Sequence, residues 1–388
     1  MLLSIIIVNY NVKYFLEQCL CSVKKALDLG AALNSRVTPF AEVLVIDNHS
    51  TDGSIEYLEP LFPLAQFIAN NHNIGFSRAN NQALDLARGR YVLFLNPDTI
   101  LPEDIFQKTI AFMEAHTNAG MLGVHMVDGC GNFLKESKRG LPTPWVAFCK
   151  MSGLTSVFPY SRQFAKYYMG HLKMQVTQPV DVLAGAFMLA RREALERTGG
   201  FDEQFFMYAE DIDLSYRVMK AGYVNYYFAD ASIVHFKGES TRKDALYVKL
   251  FYKAMRQFVK KHYRSAGGAL YAALLNTAIN LRSGLSMLRP HAKPQATQNQ
   301  KVDDVTLKGD ADTIKELRPL LQRQGINTQP AGSVVVLCEG KSYPFHEIIS
   351  FIQKMDGRQA MIHAGGSRSV VGSWDREQQG IVLETGTA

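Results

Sequence analysis

Two acidic motifs, far apart in the chain, carry residue types suited to chemistry. Asp98 closes the hydrophobic run RYVLFLNPDT, and Glu210, Asp211 and Asp213 crowd together in YAEDIDL. A strand-end carboxylate can hold Mg2+ or Mn2+ while the ion bridges phosphate oxygens. The competing reading of Asp98 is a Pro-Asp turn. Clustered carboxylates repel one another, so a fold that gathers them has a use for them. One of them could deprotonate a hydroxyl. Asp211 and Asp213 are two apart and cannot share a helix face, which favours a single base over a dyad. The alternative is an acidic first turn, favoured by the helix dipole.

Three weaker signals accompany them. Asp47 ends the strand-like EVLVIDN, where a carboxylate can accept hydrogen bonds from a base or ribose, or simply cap the next turn. NHNIGFSRANNQAL joins Gly75 to a helix start carrying Arg78. That suits a diphosphate, or a plain capped helix with a surface arginine. His235 follows the strand-like SIVH, where a neutral imidazole could complete a metal shell or touch a phosphate. A lone histidine is more often structural.

The elements that must position these residues alternate through the first hundred positions. LSIIIVNYN, AEVLVIDNHS, AQFIANN and RYVLFLNPD read as strands ending in Asn or Asp, with helical patterns between them. Such alternation predicts a parallel α/β sheet, whose ligands bind at the carboxyl ends of the strands. Residues 123–179 hold Trp145 and several turn prolines and read as a loop-rich insertion. Strand and helix patterns then resume through YVNYYFADASIVHF.

Residues 241–290 differ in character. Lys249, Lys253, Arg256, Lys260 and Arg264 form a basic helical stripe opposite Leu246, Leu250, Phe251, Ala254 and Phe258. The following run, 265–288, carries a single charge, Arg282, and a polar strip. It suits a membrane surface better than a crossing. The alternative is that both helices pack on the preceding domain. Residues 291–301 read as a linker, and 302–388 as a small separate α/β unit of unassigned role. Within it, HAGGSRSVVGS is either an anion-binding loop or, more simply, a turn.

Composition sets outer bounds. The chain has 388 residues, 47% hydrophobic, enough for two or three domains. A net charge of +6 is mild and does not argue for nucleic acid. Five cysteines (19, 21, 130, 149 and 338) fit no zinc spacing and suggest a reduced, cytoplasmic protein. The apolar N-terminus is interrupted by Asn9 and Asn11 and reads as a buried strand rather than a signal peptide.

Taken together and in order, SIIIVNYN, VIDNHSTDGS, NIGFSRANNQAL, LFLNPDT, the stretch GAFMLARREALERTGGFDEQFFMYAEDIDLSYRVMKAGY and IVHFKGES resemble family-2 glycosyltransferases, especially their rhamnosyltransferase-like branch. The resemblance covers residues 1–240. It implies the GT-A fold, a mostly parallel sheet flanked by helices, here followed by helices and the small C-terminal α/β unit. It also implies a nucleotide-diphosphate sugar donor. Asn9 and Asn11 would lie beside the nucleotide, with Asp47 as the base- or ribose-binding acid. Gly75, Arg78 and Asn80 would line the donor. Asp98 would be the last acid of the metal motif, whose first position is Asn96 here, so one carboxylate stands where two are usual. His235 would join the metal or diphosphate, and Asp211 would be the base of a single, inverting displacement.

The implied acceptor is a saccharide or a lipid-linked saccharide, with peripheral contact at the inner face of the cytoplasmic membrane through the basic helix. Two rivals stand beside this reading. A nucleotidyltransferase would carry a Gly-rich, Lys-bearing N-terminal loop, which VNYNVKYF is not. A non-catalytic sugar-nucleotide-binding protein would bind donor without turnover.

Overall fold

The computed structural model describes residues 1–33, 40–239, 245–263, 302–355, 359–374 and 379–386. Residues 241–244 and 264–290, with Arg264 and the 265–288 run, and the 291–301 linker lie outside these residues. So do the side chains of Leu246 and Lys249.

Among the described residues, nine strands form the first sheet: β1 Leu3–Asn9, β2 Ala41–Asp47, β3 Ala65–Ala69, β4 Tyr91–Leu95, β5 Thr99–Ile100, β6 Ala119–Val127, β7 Gln178–Val180, β8 Phe187–Arg191 and β9 Val224–His235. Their order is β3-β2-β1-β4-β8-β6-β9-β5, with β7 paired to β9. The four strands read from the first hundred residues are parallel neighbours in register, Asn9 beside Asp47 and Leu3 beside both Ala41 and Tyr91. Every residue of β1 and β4 is buried, as expected for strands covered on both faces. β8 runs antiparallel between β4 and β6.

The stretch read as a loop-rich insertion is partly sheet. β6 runs into it to Val127 and pairs along β9. Its apolar residues sit in the core rather than in a loop, and their continuous hydrophobicity hides the strand period because both faces are covered. The remainder does lack long elements. It holds two short helices, Pro144–Met151 and Leu154–Val157.

The basic helix is Ala245–His262. Its Ala254 and Phe258 pack into a cluster with Val182, Phe205 and Ile212, while Lys253 and Lys260 stay exposed. The apolar face of this helix therefore helps to cover the core, the packing that stood as the alternative to membrane contact. Among the described residues, no helix is long and apolar enough to cross a membrane.

The C-terminal unit has its own six-stranded sheet among the described residues. Its strands are β10 Asp304–Gly309, β11 Asn327–Thr328, β12 Val334–Cys338, β13 Gln359–His363, β14 Ser369–Gly372 and β15 Ile381–Glu384, in the order β11-β10-β12-β13-β14-β15. One apolar cluster is shared with the first unit: Val12, Phe15, Ile100, Val127, Val234 and Phe236 meet Leu337, Phe345, Ile348, Ile352 and Ile362. The Gly-rich HAGGSRS loop docks on the helix Lys13–Leu33. Gln18 accepts from the Ala364 amide at 2.8 Å and donates to Ser367 Oγ at 2.9 Å, and Glu17 accepts from the Arg368 amide at 2.9 Å.

Candidate active site

The carboxyl ends of β1, β2 and β4 open onto one cleft of about 460 Å³. Val8 and Tyr10 line it from β1, Asn48 from β2, and Asn96 to Asp98 from β4. Opposite stand Ala184 to Ala186, Glu210 and Asp211, with His235 and Lys237 from the end of β9. This size suits a small-molecule site.

β5 pairs with the end of β9, placing Thr99 opposite His235. That register brings Asp98 Oδ1 to 3.4 Å from His235 Nε2, which is also 3.4 Å from Asn96 Nδ2. Asp98 is 3% exposed and, among the described residues, its Oδ1 has no hydrogen-bond partner. A buried carboxylate oxygen left without a donor costs free energy unless a cation or ligand completes it. Among the described residues no group of three or more His, Cys, Asp and Glu could hold a metal. Two protein donors, with waters and substrate phosphates supplying the rest, is the arrangement Mg2+ usually takes.

The helix Glu210–Lys220 separates its three acids. Asp213 faces inward, fully buried, and meets Arg217 Nε at 2.7 Å, Lys261 Nζ at 2.7 Å and His262 Nε2 at 2.6 Å. Burial opposes its ionisation, but these donors win and hold its carboxyl near 2. It is a clamp for the 245–262 helix. Asp211 faces the cleft. Its Oδ2 accepts from Arg139 at 2.5 Å and from the Gly185 amide at 3.3 Å, and its Oδ1 accepts from the Ile212 amide at 2.8 Å. Glu210 also lines the cleft, 8% exposed, with Oε2 unpartnered. Burial first, then the adjacent Asp211 charge, pushes its carboxyl up to about 8. Tyr208 and Ala209, just before this helix, both adopt left-handed backbone (φ 70° and 63°). For non-glycine residues that is strain, of the kind found where a side chain must be aimed.

The remaining expected residues support the cleft without facing it. Asn9 donates to Asp47 Oδ2 at 2.7 Å, and Asp47 Oδ1 accepts from the Ser50 amide at 2.8 Å. Both are buried, and neither lines the cleft. Asn11, at φ 55°, accepts from the Thr51 amide. Asn80 is buried and bonds back to the Phe76 carbonyl within its own helix. Gly75, at φ 87°, permits a close approach: a Cβ there would lie 2.7 Å from Phe206. Arg78 is exposed and lies 3.4 Å from Glu203. So Asp98, Asp211 and His235 converge, and Asp47 stands one layer behind.

Several cleft residues carried no sequence signal. Arg139 is placed by an antiparallel bridge to Val182, which carries it to Asp211. Lys237 pairs with Glu136 at 2.7 Å. Burial opposes ionisation of Glu136, yet this ammonium keeps its carboxyl near 2. Lys150 donates to the Tyr168 hydroxyl at 2.7 Å. Asn48, inside the quoted VIDNHS, pins the Asn73 loop through a 2.9 Å bond to Asn73 and a 3.0 Å bond from the Ile74 amide.

Residues 4–199 match the sequence model of glycosyl transferase family 2. The chain belongs to this family. It is a glycosyltransferase, and the resemblance read from its motifs is borne out. It is similar to the N-acetylglucosaminyl-diphospho-decaprenol L-rhamnosyltransferase of Mycobacterium tuberculosis, 26% identical over 295 residues, covering 73% of this chain and 92% of that one. It is also similar to rhamnosyltransferase WbbL of Escherichia coli, 28% identical over 204 residues, covering 49% and 69%. Among solved structures, Staphylococcus aureus TarS 1–349 in complex with UDP-GlcNAc matches at a TM-score of 0.47 and 19% identity, covering 75% and 77%. The mannosyltransferase PcManGT of Pyrobaculum calidifontis, with GDP-Man and Mn2+, matches at 0.46 and 17%, covering 74% and 75%. This family-2 enzyme has the expected α/β class, a mostly parallel sheet flanked by helices and followed by a small α/β unit.

Proposed function

We propose that this glycosyltransferase moves a hexose, with rhamnose the first candidate, from a nucleoside-diphosphate donor to a hydroxyl of a lipid-linked saccharide, inverting the anomeric centre. The observation that carries the reading is the shared cleft. Asp98, with its unpartnered buried oxygen, and Asp211 line it together at the carboxyl ends of the strands. The name of the mycobacterial relative, which specifies a sugar-diphospho-decaprenol, supports the lipid-linked acceptor.

Asp211 takes the proton from the attacking hydroxyl. Arg139 and the Gly185 amide hold one carboxylate oxygen, and among the described residues only the Ile212 amide engages the other, which leaves that oxygen room to accept. The Arg139 contact fixes the orientation of the carboxylate in the cleft wall. The hydroxyl then attacks the anomeric carbon from the Asp211 side, and the nucleoside diphosphate leaves from the opposite face toward Asp98. Mg2+ or Mn2+, held by Asp98 and His235, would supply countercharge for the leaving diphosphate. A double displacement needs a carboxylate nucleophile close to the anomeric carbon. Of the cleft's other acids, Glu136 is tied to Lys237, and burial together with the Asp211 charge raises the Glu210 carboxyl, which disfavours both as nucleophiles. Asn9, Asp47 and Asn48 brace the turn that the nucleotide would rest on. We place the reaction at the cytoplasmic face of the membrane.

The test is transfer from a panel of nucleoside-diphosphate sugars to a short-chain prenyl-diphosphate saccharide, with the product anomer read by NMR. Inverted product from the wild type and none from Asp211→Asn supports the reading. Retained configuration, or turnover by Asp211→Asn, overturns it.

A further inference from the structure

The short helix Pro144–Met151 presents two different faces. Lys150 lines the cleft and bonds to Tyr168, while Trp145 and Phe148 point away from it and are about half exposed. Trp145 stacks on Phe148 with centroids 5.7 Å apart, and Phe164 links Trp145 to Phe158 at 6.1 and 5.4 Å. Val157 and Tyr160 extend this patch at 68% and 81% exposure. A contiguous exposed surface of large apolar side chains marks an interaction site on a folded protein.

The charge around the patch indicates what covers it. Residues 140–180 contain no Asp or Glu, but carry Lys150, Arg162, Lys166 and Lys173. Behind the patch, Ala147 and Met151 pack against Val259 of the basic helix, whose Lys253 and Lys260 are exposed. Aromatic side chains exposed on two short successive helices, in a stretch that carries cations and no acids, match the interfacial zone of an anionic bilayer. The patch adjoins the cleft through one two-turn helix, so a bilayer seated on it lies next to the acceptor side.

We propose that the segment 144–160 is a docking surface for anionic lipid bilayer, and that it brings the membrane-held acceptor to the cleft past Lys150. This rests on the lipid-linked acceptor reading and adds the element that meets the membrane. The basic helix, whose apolar side packs into the protein, contributes charge rather than insertion.

The experiment uses the full chain and needs neither donor nor acceptor. Co-sedimentation with vesicles of phosphatidylglycerol and phosphatidylcholine is compared with phosphatidylcholine alone, for the wild type and for Trp145→Ser/Phe148→Ser/Phe158→Ser. In a Trp374→Phe background, Trp145 is the remaining tryptophan and reports its own surroundings. The proposal expects binding to the anionic vesicles, at least a tenfold loss in the triple variant with its thermal midpoint kept, and a blue shift of Trp145 emission quenched by brominated lipid. Wild-type protein left in the supernatant, a triple variant that sediments like the wild type, or unshifted Trp145 emission on bound protein overturns it. So does concentration-dependent self-association that the triple variant abolishes, since a second copy would then cover the patch. Transfer to a soluble acceptor without vesicle binding sinks the docking surface alone. Vesicle binding without transfer to any prenyl-diphosphate acceptor upholds the surface and counts against the acceptor reading.

Discussion

Arg139 and Asp211 meet at 2.5 Å, both largely buried, on one wall of the cleft. The pair gives the candidate base a fixed orientation. Asp211→Asn keeps the shape and removes the proton acceptor, so kcat should fall by about three orders of magnitude or more, with donor affinity little changed. Arg139 acts through Asp211 and is a positioning residue. Arg139→Met removes the group that orients the carboxylate, so kcat should fall with donor affinity kept, and Arg139→Lys should restore part of the rate. Rate loss that Arg139→Lys leaves unrescued, with a lowered thermal midpoint, would assign Arg139 a merely structural part.

Glu210 separates two views of the acid cluster. Its carboxyl is raised to about 8, chiefly by burial and then by Asp211, so the folded state keeps a proton that the unfolded chain releases above about 4.5. The unfolded state then binds fewer protons, and stability falls as pH rises through that window. Glu210→Gln mimics the protonated acid and removes this dependence. Urea unfolding at pH 5 and pH 8.5 should show the variant gaining on the wild type at the higher pH. A tenfold difference in proton affinity between the folded and unfolded chains corresponds to about 1.4 kcal/mol of stability. The same variant should retain transfer. Complete loss of transfer in Glu210→Gln, with Asp211→Asn still active, would move the base to Glu210.

The unpartnered oxygen of Asp98 predicts metal-linked donor binding. A nucleoside diphosphate should raise the melting temperature strongly with Mn2+ and weakly after EDTA. Asp98→Ala should abolish the metal-dependent part, and His235→Ala should diminish it. An equal donor-induced shift with and without metal would remove the cation from the site.

Asp213 should matter to stability rather than to turnover. It is buried against Arg217, Lys261 and His262 and fastens the 245–262 helix. Removing one partner of a buried charged network typically costs about 3–5 kcal/mol. Asp213→Ala should therefore lower the unfolding free energy by that order, with kcat per folded molecule retained. Its carboxyl is held near 2, so the stabilisation is complete above the ordinary Asp range and is lost as pH falls toward 2. A variant as stable as the wild type at pH 7 would refute the clamp.

Much of the cleft was legible because its parts lie at strand ends. Asp47 and Asp98 each end or follow a run of apolar residues, and a parallel sheet puts such ends on one rim. Asp211 was legible as one member of a cluster, and only the folded structure shows that Asp213 faces inward while Glu210 shares the cleft. Arg139 was illegible because it lies in a stretch with no period, where an isolated bridge to Val182 sets its direction. β6 was hidden for the opposite reason, since a strand buried on both faces shows no alternation.

The α/β character of the C-terminal unit is legible in the sequence, but which of its apolar faces meets which is not. Phe345, Ile348 and Ile352 lie on one side of the helix Phe345–Lys354, as any amphipathic helix would show. That they pack on Phe15, Val234 and Phe236 is long-range information. Polar contacts reinforce the joint. Glu103 accepts from the Phe345 and His346 amides, and Glu239, close behind His235 in sequence, accepts from the Gly380 amide at 2.7 Å. A chain ending at residue 301 would expose this apolar surface and leave Glu239 without that donor. Such a truncation should aggregate or melt well below the full chain, and adding the separate 302–388 fragment should restore part of the loss. A truncated enzyme that melts like the full chain would show that the two units only touch, and that the apolar cluster between them contributes little to holding the catalytic cleft in shape.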